Sequence, residues 1–321
     1  MSTMRAVVIE VTGSPEVLTV TDRPLPTTVN AEFLVRVVAA GVNPIDAKTR
    51  SGKGNAKAIA RYPAILGNDF SGVVVESPYE AHAIKPGDEV YGFTPVPRVD
   101  GSYAEFVSVN AIHVARKPAA LSHVEAAGVP TAALTAWGMV VEIAKAHEGQ
   151  RILIHAAAGG VGHFAVQFAH FFGAHVIATG STRNVGWLRE LGADEVIDYT
   201  LERFDEVVSN VDVVIDLVGN VHDETGSRSL GVLRAGGLLV NAPSGSWPTL
   251  AADALAAGVR STSFKVVPDA SALAIVSRLL QSGDVRVYVD QVFELTDAPA
   301  AHTAIEGGHT RGKIVLKVAD G

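Results

Sequence analysis

The segment Ile152-Leu153-Ile154-His155-Ala156-Ala157-Ala158-Gly159-Gly160-Val161-Gly162 constrains this chain more than any other. A short apolar run enters a glycine-rich turn, and a helical pattern follows over residues 161–172. Strand, turn and helix in that order are the opening of a parallel doubly wound sheet that cradles a dinucleotide. Ala157-x-Gly159-x-x-Gly162 is a variant of the dinucleotide fingerprint, with alanine at the first glycine. Gly159 lets backbone N–H groups approach a pyrophosphate with no Cβ in the way. Gly162 lets the helix pack close to the strand. The helix N-terminus offers unpaired N–H groups and the positive end of its dipole. The plain alternative is a tight turn with no ligand, and the flanking strand and helix weigh against it.

The next strand selects the dinucleotide. NAD sites place Asp or Glu about 20 residues on, where it binds the ribose 2′-OH. Here the second strand reads Val176-Ile177-Ala178-Thr179 and continues Gly180-Ser181-Thr182-Arg183-Asn184. No carboxylate stands at that end. Ser181 can donate to a 2′-phosphate and Arg183 can neutralise it, whereas a carboxylate would repel it. NADPH is therefore the expected cofactor. The plain reading of Arg183 is a solvated charge at a helix start.

Three zones of different texture surround this core. Up to about residue 120, short β-branched or aromatic runs (6–10, 33–40, 72–76, 103–109) alternate with turn formers such as Lys85-Pro86-Gly87-Asp88. That pattern suggests a small barrel. From 121 to 260 strand and helix alternate: strands at 151–155, 174–179, 195–197, 211–218 and 237–241, helices at 161–172 and 184–191. The zone 261–321 holds one predicted helix, 271–281, and a closing strand, 312–318, expected to return to the first domain. The expected fold class is thus α/β, with domains at 1–120 and 121–260 and a returning tail.

Composition removes several function classes. Cysteine is absent, which removes disulfides, thiol nucleophiles and Cys-based zinc sites. The net charge of −8 and the scattered basic residues argue against nucleic acid as a partner. No run reaches the roughly 18 apolar residues of a membrane helix, and no signal-peptide core is visible; a soluble cytoplasmic protein is expected. No Gly-x-Ser-x-Gly elbow sits between a strand and a helix. His163 and His170 share one predicted helix, but no carboxylate completes a metal motif, so solvated or core histidines are expected.

Further motifs run nearly end to end: Gly41-Val42-Asn43-Pro44-Ile45-Asp46, Lys85-Pro86-Gly87-Asp88-Glu89-Val90, Gly101-Ser102-Tyr103-Ala104-Glu105, Leu191-Gly192-Ala193-Asp194 and Gly312-Lys313. With the glycine-rich turn, they make the chain resemble the zinc-independent quinone oxidoreductase (zeta-crystallin-like) branch of the medium-chain dehydrogenase/reductase superfamily. The resemblance implies a GroES-like β-barrel domain joined to a Rossmann domain, with the active-site cleft between them, and a homodimer. It implies cofactor contacts at Asn43, which also has a positioning role in catalysis, at Thr131, and at Gly159, Gly160 and Val161. Ser181, Arg183 and Tyr199 match the surroundings of the adenosine 2′-phosphate. Leu217 and Val218 match residues that border the cofactor, Asn241, Ser244, Phe264 and Val266 match segments lining its nicotinamide half, and Lys313 a basic residue near the cofactor.

The departures bear on chemistry. Zinc alcohol dehydrogenases of the superfamily carry a Cys near Pro44 to Asp46 and a Gly-His-Glu; this chain has Gly67-Asn68-Asp69. No catalytic metal is expected. Relatives often carry a tyrosine after the Asn-Pro-x-Asp segment, whereas this chain reads Lys48-Thr49-Arg50-Ser51-Gly52-Lys53. The expected function is an NADPH-dependent reductase passing hydride to a small electron-poor carbonyl compound, a quinone or α,β-unsaturated carbonyl. Two rivals stand beside it: a 2-enoyl thioester reductase, and a non-catalytic NADPH-binding protein with a structural or regulatory task. Asp46 reads either as a substrate or proton-relay group or as the cap of a helix beginning near Ala47. Asp216 reads as functional or as an ordinary strand-end hydrogen bonder. Tyr199 has packing beside the adenosine or a plain surface position as its two readings.

Overall fold

A computed structural model describes residues 2–95, 97 and 100–320. The chain forms two compact units, Met1–Leu134 with Val267–Gly321, and Thr135–Val266. The expected limits at 120 and 260 lie short of these, for two local reasons. Helix His123–Ala127 packs on the strands Glu32–Val42 and Asp69–Glu76, and Thr131 bonds to Asp69, so the first unit runs on past 120. Strand Arg260–Ser263 pairs with Leu233–Asn241, and Phe264 N donates to Asn241 O, so the second unit runs on past 260.

In the first unit a three-stranded sheet orders Thr19–Pro24, Thr3–Ile9 and Ala64–Ile65. A seven-stranded sheet centres on Glu32–Val42, which pairs with Asp69–Glu76, Phe106–Asn110 and Lys313–Lys317. Side chains from both sheets, including Val7, Phe33, Val35, Phe70 and Leu316, share one apolar core. The closing strand Lys313–Lys317 sets Ile314 opposite Val42 and Leu316 opposite Ala40. That register fixes Lys313 at the buried mouth of the sheet. The tail also holds strand Val289–Glu294 and helix Ala298–Glu306, which the sequence expectation lacked. The helix buries only Ala298, Ala301 and His302, so its apolar face is too small-sided to give a helical signal.

The second unit is an all-parallel sheet. Its order is Glu195–Asp198, His175–Gly180, Arg151–Ile154, Val211–Asp216, Leu233–Asn241, Arg260–Ser263. Counted in chain order this is 3-2-1-4-5-6, the Rossmann order, whose reversal falls beside Arg151–Ile154. Ile152, Leu153 and Ile154 are fully buried, as expected of a central strand covered on both faces. Helix Gly162–Phe171 follows the turn. The strand expected over 211–218 stops at Asp216, because the Asp216 carboxylate takes the N–H groups of Val218 and Gly219. Among the described residues no helix is long and apolar enough to cross a membrane.

Candidate active site

The glycine-rich turn is built by close backbone approach. Ala156 has φ +47° and bends the chain out of the strand. Ala157 N donates to Thr179 O (3.2 Å) and Gly159 N to Ala156 O (3.0 Å). A Cβ on Gly162 would sit 2.3 Å from Ala156 O and 2.6 Å from Ala157 Cα. Only glycine lets the helix close onto the turn there. A Cβ on Gly159 would meet only Ala156 O, at 3.3 Å, so Gly159 answers no comparable packing demand. In the first turn of the Gly162–Phe171 helix, His163 N donates to Gly159 O and Ala165 N to Val161 O, both at 3.0 Å, which ties the helix start to the turn that Gly159, Gly160 and Val161 form.

His155 anchors this turn from below. Its Nε2 lies 2.9 Å from Ser229 Oγ, which donates to Thr225 O (2.7 Å), and its Nδ1 lies 3.2 Å from Thr179 Oγ1. Because the Ser229 hydrogen is spent on Thr225, Nε2 carries the ring proton and Nδ1 accepts from Thr179. Burial depresses the imidazole to about 4, with Asp216 opposing and Arg228 assisting. His155 is therefore a neutral pin joining two strand ends to the helix Thr225–Val232.

At the end of the second strand, Ser181 opens a turn over Thr182–Asn184 and accepts from Asn184 Nδ2 at 3.2 Å. Arg183 is exposed beside it. Tyr199, 59% exposed, is held at the same edge because its N–H donates to Gly180 O at 3.1 Å. The structure thus brings Ser181, Arg183 and Tyr199 together. The acid on the adjoining strand, Asp198, turns its Oδ1 to Thr200 N (3.0 Å) and Thr200 Oγ1 (2.6 Å). The arrangement fits a 2′-phosphate better than a 2′-hydroxyl, which would need a carboxylate acceptor.

On the other side of the sheet's reversal, Asn241 ends its strand, and Leu217, Val218, Ser244, Phe264 and Val266 follow the carboxyl ends of three neighbouring strands. Leu217, Val218, Phe264 and Val266 are half-buried, Asn241 is buried and Ser244 is exposed. The Phe264 ring covers Gly138, where a Cβ would lie 2.2 Å from the ring.

Asn43, Thr131 and Lys313 belong to the first unit and meet there around Asp69. Asp69 Oδ1 accepts from Thr131 N (2.9 Å) and Thr131 Oγ1 (2.5 Å), and Oδ2 from Asn43 Nδ2 (2.9 Å). Lys313 Nζ donates to Asn43 Oδ1 and to Val42 O (3.2 Å), and lies 3.9 Å from Asp69 Oδ2. Lys313 is 3% exposed and Asp69 not at all. Burial pushes the carboxyl up and the ammonium down, and each charge opposes that shift in the other. The three hydrogen bonds to Asp69 hold the anion in place. One N–H and the oxygen of the Asn43 amide are engaged inside the unit, which fixes the orientation of the amide.

Asn43 also caps helix Pro44–Arg50, so the helix begins before Ala47. Asp46 is the third helical residue, reaching back to accept from Asn43 N at 2.9 Å. Tyr103 Oη lies 3.4 Å from Asp46 Oδ2 and 3.2 Å from His302 Nε2. Burial raises the Asp46 carboxyl to about 7, against the Asn43 N–H, and lowers His302 to about 3. Sequence reasoning missed Asp69 as the hub, together with Tyr103 and His302. A signal was present: Asp69 and Lys313 are opposite charges, each opening an apolar strand run.

Ser71, His123 and Glu89 form a nucleophile–base–acid series, with Ser71 Oγ 2.7 Å from His123 Nδ1 and His123 Nε2 3.2 Å from Glu89. Ser71 is fully buried within a strand, so no substrate reaches it and the series is structural. Among the described residues, no group of three or more His, Asp or Glu side chains is arranged to hold a metal ion.

Residues 30–119 match the family model for an alcohol dehydrogenase GroES-like domain, and residues 191–316 that for a zinc-binding dehydrogenase. NAD(P)H oxidoreductase RTN4IP1, mitochondrial, of Danio rerio is 33% identical over 90% of this chain and 84% of its own. The chain belongs to the quinone oxidoreductase branch of the medium-chain dehydrogenase/reductase family. Another member, the NADPH-dependent alkenal/one oxidoreductase, chloroplastic, of Arabidopsis thaliana, is 33% identical over 89% of this chain and 72% of its own. The quinone oxidoreductase from Coxiella burnetii superimposes with a TM-score of 0.93 and is 36% identical, covering 99% of this chain and all of that one. The first unit is accordingly the family's GroES-like domain and the second its Rossmann domain. Zinc in the family description does not carry over to the donor set here, because the chain has no cysteine and Asn68 stands where a zinc-site imidazole would be.

Proposed function

We propose that this protein is an NADPH-dependent, zinc-independent reductase that transfers a hydride to a quinone or an α,β-unsaturated carbonyl compound. The observation that carries the cofactor choice is the pairing of Ser181 and Arg183 at the end of a Rossmann strand that bears no acid. The alkenal/one specificity named for the Arabidopsis relative and the quinone named for the Coxiella structure support the substrate class.

NADPH, when bound, supplies the hydride. The chain's own residues bind and orient. Gly160 and Val161 present N–H groups to the pyrophosphate, and Gly159, whose own N–H is spent on Ala156 O, keeps the approach clear of a Cβ. Ser181, Arg183 and Tyr199 take the 2′-phosphate, with Arg183 giving a charge-assisted contact. Leu217, Val218, Asn241, Ser244, Phe264 and Val266 line the cofactor. Asn43, Thr131 and Lys313 are assigned as cofactor contacts as well, with Asn43 in a positioning role. A quinone or enone spreads the incoming charge onto its own oxygen, so the reaction asks for no metal. We assign the other cofactor contacts to the Rossmann unit, and substrate handling, with the contacts of Asn43, Thr131 and Lys313, to the GroES-like unit. A cytoplasmic homodimer is part of the same reading; the open outer strand Arg260–Ser263 is a candidate edge for pairing.

Steady-state oxidation of NADPH with a panel of quinones and short enones tests the reading. Turnover of at least one class is expected. No turnover of any panel member, with NADPH binding intact, would leave a non-catalytic binder as the answer.

A further inference from the structure

Asp216 ends the apolar run Val213-Val214-Ile215 and is fully buried. A carboxylate in that position is costly unless donors surround it. Its donors come from two different loops. Val218 N (2.9 Å) and Gly219 N (2.8 Å) reach Oδ1 from its own loop, and Asn241 Nδ2 (2.9 Å) reaches Oδ2 from the end of the next strand. Its backbone oxygen takes Ala242 N at 3.0 Å. The link continues to a third loop, because Asn241 O accepts Phe264 N at 2.8 Å. Gly219 sits at φ +80°, where a Cβ would strike Ser246 Oγ at 2.1 Å, so the first loop has little freedom to settle elsewhere.

We infer that Asp216 is a positioning residue whose buried carboxylate sets the loops after the fourth, fifth and sixth strands of the Rossmann sheet at the spacing that the nicotinamide half of the cofactor requires. The inference rests on the cofactor reading given above, which places Asn241 and Phe264 beside that half and Leu217 and Val218 beside the cofactor. Strand-end hydrogen bonding alone would stabilise the unit and leave ligand preference untouched. A positioning role acts on one end of the cofactor only. The 2′-phosphate end is held by Ser181 and Arg183, which follow the second strand on the other side of the sheet's reversal.

The test uses the full chain and two ligands, NADPH and adenosine 2′,5′-bisphosphate, which carries only the adenosine end. Asp216→Asn keeps an oxygen for Val218 and Gly219 but turns an amide toward the amide of Asn241. Its dissociation constant for NADPH is expected to rise about tenfold, as for loss of one hydrogen bond to a charged group. Binding of the bisphosphate should stay within about twofold. The reciprocal double variant Asp216→Asn with Asn241→Asp restores the bond with donor and acceptor exchanged. It should bring NADPH affinity back to within about threefold of wild type. Should Asp216→Asn fail to fold, Gly219→Ala, at a residue given no cofactor contact, displaces one of the two backbone donors to Oδ1; the same selective loss of NADPH is expected. Unchanged NADPH affinity, equal loss of both ligands, or no recovery in the exchanged pair overturns the inference. Wild-type protein that binds neither ligand overturns the cofactor reading itself, and the inference with it.

Discussion

In the proposed cofactor site, Arg183 carries a charge to the one place where the two nicotinamide dinucleotides differ. Reversing it with Arg183→Glu replaces an attractive contact by a repulsive one at a 2′-phosphate. The KM for NADPH should rise about tenfold to a hundredfold, from the worth of a charge-assisted contact, while the KM for NADH changes little. Asp69 and Lys313 make a different argument. Breaking a buried ion pair from one side leaves an uncompensated charge, so Lys313→Met should cost roughly 3–5 kcal/mol in denaturant unfolding, and Lys313→Met with Asp69→Leu should recover part of it. His155 adds a pH dependence. Its folded value near 4 lies below its ordinary 6.5, so below pH 6.5 the unfolded chain binds a proton that the folded chain refuses. The stability from His155 is full above pH 6.5 and is lost as pH falls toward 4. Between pH 7 and pH 5 wild type should lose about 2 kcal/mol more than His155→Asn. Equal pH slopes for the two proteins would rule this out. The His155 environment was not legible beforehand. Nothing in the run Ile152-Leu153-Ile154-His155 says that Thr179 and Ser229, far along the chain, close on both ring nitrogens.

The strand–turn–helix element around residue 160 was legible because each part obeys a local rule. The apolar run, the glycines and the helix start are all read within a few residues. Gly162 shows how firm that rule is. Gly162→Ala puts a methyl 2.3 Å from the Ala156 carbonyl oxygen, a backbone atom that cannot rotate away. Overpacking of this kind costs about 1–3 kcal/mol, and NADPH affinity should fall with it as the turn opens. A thermal melt and an NADPH titration of the same variant check both. The helix Ala298–Glu306 shows where local rules end. Its alanines bury little surface, so its place is set by the strands of the GroES-like unit that it covers. Strand 211–216 makes the same point in reverse: Leu217 and Val218 continue the β-pattern, and a side chain two residues back ends it.

At the scale of the molecule, the β-rich and the alternating textures became the cores of two units, and alternation of strand and helix announced a parallel doubly wound sheet without giving its order, 3-2-1-4-5-6. The return of the tail to the first unit was readable from the closing Gly312-Lys313-Ile314-Val315-Leu316 run. The extent of each unit was not, since it depends on which sheet a helix or strand joins. Family membership supplies the chemistry that residue patterns leave open, and the chain lacks the cysteines and the imidazole at Asn68 that a zinc site would use. The proposed activity is therefore that of a metal-independent reductase that prefers NADPH. The most direct measurement compares kcat/KM for NADPH and NADH with one reducible quinone or enone, before and after exhaustive chelation. A preference for NADPH of about tenfold or more, unchanged by chelation, is the predicted result. Preference for NADH, or loss of the rate on chelation with recovery on added zinc, would contradict it.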